Sequence, residues 1–305
     1  MSRQARIVTS ALLTGAVYLS LGSGIPASAA GASPPVFADN PSTGWFAYTR
    51  EFIAPPSGPG PVMGDPKYPR VSNDDFRVTG RQPTLPVADI NNPILQPWAR
   101  EEIRKTNELA ISGKPPYSLH ANCYPIGVLE FLLEPMTRPM HIVQGPNEVV
   151  MVLESFNDVR RIYLSDKHSP NPKPSWYGDS IGHYEGDTLV VDTVGFNGKI
   201  FLDQYETPTT TRLHTLERFR VVDGGETLEV NVHVEDPGAF ATPWNATQRF
   251  RRYEETVSKA DISKLPVLAT PEQGPLMEQI CAENPNSFQG LLPARPVPQA
   301  TTADF

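Results

Sequence analysis

A histidine and an arginine occur at a spacing that would place both side chains on one face of a β-strand. Residues 211–222 have the composition of a strand, and because alternate side chains of a strand point to the same face, His214 and Arg218 would share a face. A histidine can exchange a proton near neutral pH, and a guanidinium can stabilise a developing negative charge. The pair is therefore a candidate acid/base site, although two structural polar residues on a solvated face would give the same pattern.

A second candidate site follows the strand predicted at residues 159–164. Asp166 and His168 are two residues apart, so an extended chain places both side chains on one side. They could act as an acid and its orienting partner, or as two ligands of a metal that takes further ligands from elsewhere. Solvated turn formers before Ser169 and Pro170 are the simpler interpretation. No His-x-x-x-His or comparable cluster occurs, so we predict no metal site.

Carboxylates and aromatic residues crowd the middle of the chain. Asp192 lies in an otherwise apolar predicted strand and Asp203 in a loop; either could act as a base if burial raised its pKa, or could simply accept a structural hydrogen bond. Five aromatic residues could line an apolar pocket for a small ligand, or could equally be core. They are Trp176, Tyr184, Phe196, Phe201 and Tyr205.

Motifs with a unique chemical meaning are absent. Gly178, Ser180 and Gly182 fit the letter pattern of a nucleophile elbow, but that elbow needs a helix after the serine, and here strand-like residues follow. Phosphate loops and dinucleotide fingerprints do not occur, so we expect no cofactor.

Short strand-like segments must position these residues. Each is rich in β-branched or aromatic residues and is bounded by Gly, Pro, Asn or Asp. The segments are 128–133, 149–153, 159–164, 188–194, 211–222 and 227–234. Gly186-Asp187 and Gly225-Glu226 each stand between two such segments, as hairpin turns do.

These segments predict a mainly β fold, an antiparallel meander. In residues 228–235 apolar and polar residues alternate, so one face is core and the other is wet. A curled sheet that closes into a barrel, a lipocalin-like cup enclosing a ligand, accounts for this pattern. A β-sandwich is the alternative.

The chain divides into four parts. Residues 1–29 have the order of a signal peptide, with Arg3 and Arg6, an apolar stretch at 11–21, and Ala27-Ser28-Ala29 before the cleavage point. Residues 30–115 are rich in proline and should run as an extended segment with one helix at 97–112. Residues 116–285 should form the barrel and 286–305 a disordered tail. We therefore expect a periplasmic or secreted protein without membrane insertion.

Charge and cysteines limit the partners and the compartment. The chain has 26 basic and 34 acidic residues, a net charge of −8, which disfavours nucleic acid as a partner. Cys123 and Cys281 would reach an oxidising compartment after export, where an isolated pair is more often a disulfide than a zinc site.

Several runs resemble those of a family of uncharacterised exported bacterial proteins. The longest are 161–166 (RIYLSD) and 176–196 (WYGDSIGHYEGDTLVVDTVGF), and shorter ones are 217–219 (ERF), 235–237 (EDP) and 243–244 (PW). The resemblance covers residues 115–285. It implies export and brings no activity with it.

Two functional hypotheses fit these observations. The first is a cofactor-independent enzyme, a lyase, isomerase or hydrolase, that uses acid/base residues on a small apolar or aromatic compound bound inside the barrel. The alternative is a non-catalytic carrier of a small hydrophobic ligand. An enzyme needs at least two titratable side chains that converge on one cavity, whereas a carrier needs only an apolar cavity. The sequence predicts no oligomeric state.

Overall fold

The computed structural model describes residues 34–38, 44–135, 139–155 and 158–253, and within them nine strands form a closed barrel. The strands are β1 (Gly44–Ala47), β2 (Met140–Gln144), β3 (Glu148–Leu153), β4 (Asp158–Leu164), β5 (Asp179–Glu185), β6 (Thr188–Val194), β7 (His214–Val222), β8 (Thr227–Glu235) and β9 (Trp244–Tyr253). Neighbours in the chain are neighbours in the sheet, and β9 pairs with β1 to close it. This confirms the predicted mainly β barrel.

One strand pair departs from the antiparallel meander. β4 and β5 run parallel, with Tyr163 opposite Ile181, whereas the other paired strands are antiparallel. A parallel pair needs a crossover between its strands, so the chain from Ser165 to Gly178 must return along the barrel. That crossover carries His168 back to the barrel wall.

The predicted hairpins and alternation are confirmed. Gly186, in the left-handed region at φ 61°, starts the turn between β5 and β6, and a short 3₁₀ turn at Asp223–Gly225 joins β7 to β8. In β8 the alternate apolar residues are buried with at most 2% exposure: Leu228, Val230, Val232 and Val234. The barrel interior is therefore built by strand periodicity.

The described chain contains three α-helices besides the strands. α1 (Asn73–Thr79) begins at a capping box formed by Ser72 and Asp75. α2 (Pro97–Ile111) confirms the helix predicted at 97–112, and its predicted inward residues are buried: Ala99, Ile103 and Ala110. α3 (Val128–Leu133) corrects the strand predicted at 128–133. A short run that is apolar on all sides fits a buried helix as well as a buried strand, and here Val128 and Leu129 are both fully buried.

The predicted domain boundaries lie partly within the described chain. β1 comes from the segment predicted to be an extended wrap, and its pairing with β9 and β2 closes the barrel. The segments predicted as a signal peptide (1–29) and as a disordered tail (286–305) lie outside the described residues. No helix of the described chain is long and apolar enough to cross a membrane.

Candidate functional site

The structure brings two of the predicted catalytic histidines to one carboxylate. His168 Nε2 lies 3.0 Å from Asp192 Oδ1, and His214 Nε2 lies 3.1 Å from the same oxygen. Asp192 comes from β6, His214 from the start of β7, and His168 from the crossover between β4 and β5. Two imidazoles thus flank one carboxylate oxygen, an arrangement that can hold and exchange protons.

The contacts continue on both sides of this group. His168 Nδ1 lies 3.2 Å from Asp179 Oδ2, and His214 Nδ1 lies 3.6 Å from Glu235 Oε2. His233 Nε2 lies 3.1 Å from Glu235 Oε1. We call these six residues the histidine–carboxylate row. Since both ring nitrogens of His168 face carboxylate oxygens, both contacts are hydrogen bonds when His168 is an imidazolium.

The row lies on the outer surface of the barrel. His214 alternates with the fully buried Thr215, and Asp192 with the fully buried Thr193, so both point away from the interior. These side chains are partly exposed to solvent: 24% for His168, 34% for His214 and 38% for Asp192. The hydrogen bond from His233, followed by that from His214, lowers the pKa of Glu235. Among the described residues no group of three His, Cys, Asp or Glu is arranged to hold a metal ion.

The other two predicted catalytic residues lie apart from this group. Arg218 shares the outer face of β7 with His214 but donates to Glu185 at 2.6 Å, in an exposed ion pair. Asp166 is exposed, and His168 bonds to Asp179 and Asp192 instead. Their catalytic roles remain predictions.

The barrel interior contains a buried ion pair that the sequence analysis missed. Arg160 Nη1 donates to Glu217 Oε1 at 2.8 Å, and neither side chain has exposed surface. Arg160 also lies 3.2 Å from the hydroxyl of Thr193, which is 2.8 Å from the hydroxyl of Ser180. Ser180 is therefore a buried strand residue within this network, which does not fit the exposed serine of a nucleophile elbow.

The five predicted ligand-binding aromatic residues have different neighbours in the structure, and their role in ligand binding stays a prediction. Phe196 is fully buried in the core, and the Tyr184 hydroxyl accepts from Gln144 Nε2 at 3.0 Å. Trp176 stacks on Tyr124 with ring centroids 5.4 Å apart, and Phe201 contacts Tyr117 edge to face at 6.4 Å. Tyr205 lines a small cavity of about 150 Å³.

A large cavity lies outside the barrel, between the extended segment and the end of α2. It encloses about 530 Å³. Most of its wall is apolar: Pro69, Val71, Pro83, Leu85, Val87, Ala110 and Ile111, with Gly113. The polar residues are Lys67, Tyr68, Arg81 and Thr84. We call it the segment cavity; no strand residue of the barrel lines it.

A smaller cavity of about 150 Å³ adjoins the segment cavity and shares Tyr68, Pro69 and Val87 with it. Its wall includes Tyr205, whose hydroxyl donates to Glu51, and Arg70, which donates to Gln204. Burial lowers the pKa of Arg70, and nearby Arg50 lowers it further.

Three carboxylates of the described chain have raised pKa values. Burial raises the pKa of Asp203 to about 6, although Asp203 accepts a hydrogen bond from the Thr207 hydroxyl at 2.8 Å. Burial likewise raises the pKa of Glu206 to about 7, and that of Glu130 well above its ordinary value. These groups therefore hold protons in a range where exposed carboxylates have lost them.

The predicted disulfide stays a prediction. Cys123 is exposed and takes a left-handed backbone angle, φ 57°, directly after a 3₁₀ turn at His120–Asn122. Cys281 lies outside the described residues.

Comparisons with known proteins add little. No family model matches the chain, and no curated protein matches it. A solved structure described as a "REP1-NXSQ fatty acid transporter" aligns with a TM-score of 0.25 and 11% identity, over 38% of this chain and 71% of that chain. A likeness this distant carries no argument about function, and the family resemblance of the sequence motifs stays a prediction.

Proposed function

We propose that the protein is a carrier of a small hydrophobic molecule and that the ligand occupies the segment cavity. The observation that carries the proposal is the cavity itself: its volume of about 530 Å³ falls within the range of ligand pockets, roughly 300–1,000 Å³, and its wall is mainly apolar. An apolar molecule bound there would cover the apolar part of this wall.

The composition of the wall favours a carrier over an enzyme at this place. Neither a carboxylate nor a histidine lines the segment cavity, so it lacks the acid/base pair that proton-transfer catalysis needs. The wall offers apolar surface for the body of a ligand and a few polar groups for orientation. These properties suffice for binding.

The test compares two leucine-to-tryptophan variants in binding assays. Leu85 lines the cavity, so Leu85→Trp should fill it and weaken binding of an apolar fluorescent probe such as N-phenyl-1-naphthylamine by about tenfold or more. Leu109, which is 40% exposed on α2 and does not line the cavity, supplies the matched control Leu109→Trp. Equal affinities of both variants and the wild type, or no binding at all, would contradict the proposal.

The histidine–carboxylate row supports a second candidate function, the acid/base enzyme. Its specific observation is the shared contact of His168 and His214 with Asp192 Oδ1. If this group is catalytic, His214→Ala should lower turnover by about 100-fold, the usual contribution of a positioned acid or base. Product analysis of each compound found in a thermal-shift screen tests it. Wild-type protein that returns every bound compound unchanged would rule this candidate out.

A further inference from the structure

We infer that the ligand of the segment cavity is a monocarboxylic acid with an apolar body, and that Lys67 and Arg81 bind its carboxylate. The inference rests on the proposed carrier function and names the chemical class of its ligand. It depends on the charge of the cavity wall, on the partners of the two cations, and on the apolar surface beside them.

The wall of the segment cavity is cationic in an otherwise acidic protein. Lys67 and Arg81 line the cavity, and no aspartate or glutamate does. The chain as a whole has a net charge of −8. A positive site within a negative protein attracts anions locally and discriminates against cationic ligands.

The two cations have no salt-bridge partner among the described residues. Other cationic side chains bind carboxylates directly, for example Arg161 with Glu148 and Arg249 with Asp223. Asp75 is the carboxylate that Arg81 influences, since Arg81 slightly lowers its pKa. That carboxylate, however, already accepts two hydrogen bonds from Ser72 in the capping box of α1. Lys67 and Arg81 thus retain donors for a ligand anion.

The remaining wall limits the ligand to a single charged group. Val71 and Val87 are buried apolar residues of this wall, and a second charge placed against them would be desolvated, which is costly without a partner. An apolar body satisfies that surface, and one carboxylate can pair with the planar guanidinium of Arg81 and the ammonium of Lys67. A monocarboxylate matches both parts of the wall.

The test uses three probes of equal chain length, decanoate, 1-decanol and decylamine, in calorimetric titrations of the full chain at neutral pH. We expect the wild type to bind decanoate about tenfold more tightly than 1-decanol, and decylamine more weakly than either. Lys67→Gln/Arg81→Gln should abolish the preference for decanoate and leave the affinity for 1-decanol unchanged. Lys114→Gln, which removes an exposed lysine that does not line the cavity, should keep the preference.

The outcomes separate this inference from the carrier function. If 1-decanol binds as tightly as decanoate, or if the double variant still prefers decanoate, the carboxylate assignment is wrong while the carrier function stands. If none of the three probes binds and Leu85→Trp changes nothing, the carrier function itself fails and the assignment fails with it. A preference that higher salt weakens only in the wild type would support the assignment further.

Discussion

Arg160 and Glu217 form a two-point ion pair inside the barrel, 57 residues apart in the chain and without exposed surface on either side chain. The strands that carry them, β4 and β7, are separated in the sheet by β5 and β6, so the pair connects two strands that share no ladder hydrogen bonds. A buried pair is costly to desolvate, but removing one partner leaves the other charge buried and unpaired. The pair therefore makes the stability of the barrel sensitive to either residue.

We predict that Glu217→Gln destabilises the protein by about 3–5 kcal/mol, because the guanidinium of Arg160 then stays buried without its counter-charge. Urea unfolding at neutral pH measures the loss. Glu148→Gln, which breaks the surface pair with Arg161, is the matched control and should cost about 1 kcal/mol or less. Similar losses in both variants would contradict a special role for the interior pair.

Asp192 joins the crossover segment to the barrel wall through His168 and His214. We predict that Asp192→Asn lowers the free energy of unfolding by about 1 kcal/mol, a modest value because all three side chains are partly exposed to screening solvent. Denaturant unfolding measures it. Asp187→Asn breaks a fully exposed ion pair with Arg220 and should leave stability almost unchanged. If the two variants are equally stable, the shared contact contributes nothing.

The sequence predicted the barrel because five of its strands have ordinary strand signals. β1, β2, β5 and β9 were not among the predicted strands, and the structure shows why for β5 and β9. The inward face of β5 is polar or small, since Ser180 joins the Arg160 network and a side chain at Gly182 would come within 2.9 Å of Ile162. In β9 the buried Gln248 interrupts the apolar alternation by donating to main-chain carbonyls. Such partners are distant in sequence and leave no local pattern.

Partners that are distant in sequence also determine the geometry of the candidate site. The alternation in β7 correctly placed His214 and Arg218 on one face of the strand and Glu217 on the other. Because both faces carry charged residues, the alternation does not show which face points into the barrel. Glu217 faces the interior, where it forms an ion pair with Arg160, and His214 faces outward, where it contacts Asp192. The meeting of His168 with His214 depends on the parallel crossover between β4 and β5, which no short-range signal predicts.

Cys123 and Cys281 are predicted to form a disulfide once the chain reaches an oxidising compartment. The bridge would close a loop spanning 158 residues, with a stabilisation of at most about 5 kcal/mol from chain entropy. Alkylation of the unfolded, unreduced protein followed by mass spectrometry should detect no modified cysteine, and prior reduction should reveal two. Two alkylated thiols without reduction would contradict the bridge.

The raised pKa values of Asp203 and Glu206 predict that the contribution of these two groups to stability falls as pH rises. Glu206 has an ordinary pKa of 4.5 and a folded-state pKa of about 7, and Asp203 goes from 3.8 to about 6. Below about pH 3 both groups are protonated in the folded and unfolded states, so they do not change the free energy of unfolding. Between about pH 4 and pH 7 the unfolded chain releases these protons more readily than the folded one, so unfolding becomes progressively more favourable.

Glu206→Gln should therefore stabilise the protein at pH 7.5 and hardly change it at pH 4. The glutamine can still accept from the Thr106 hydroxyl, which lies 3.4 Å from Glu206 Oε2, while it removes the charge that burial opposes. Because Glu206 is only partly buried, solvent screening reduces the expected gain to about 1–2 kcal/mol. Urea unfolding from pH 4 to pH 8 measures the slope, with the exposed Glu226→Gln as the control that should leave it unchanged. If the stability of Glu206→Gln falls with pH as steeply as that of the wild type, the prediction is wrong. Glu206 would then have an ordinary pKa in the folded protein, and its burial beside Asp203 would not raise that pKa.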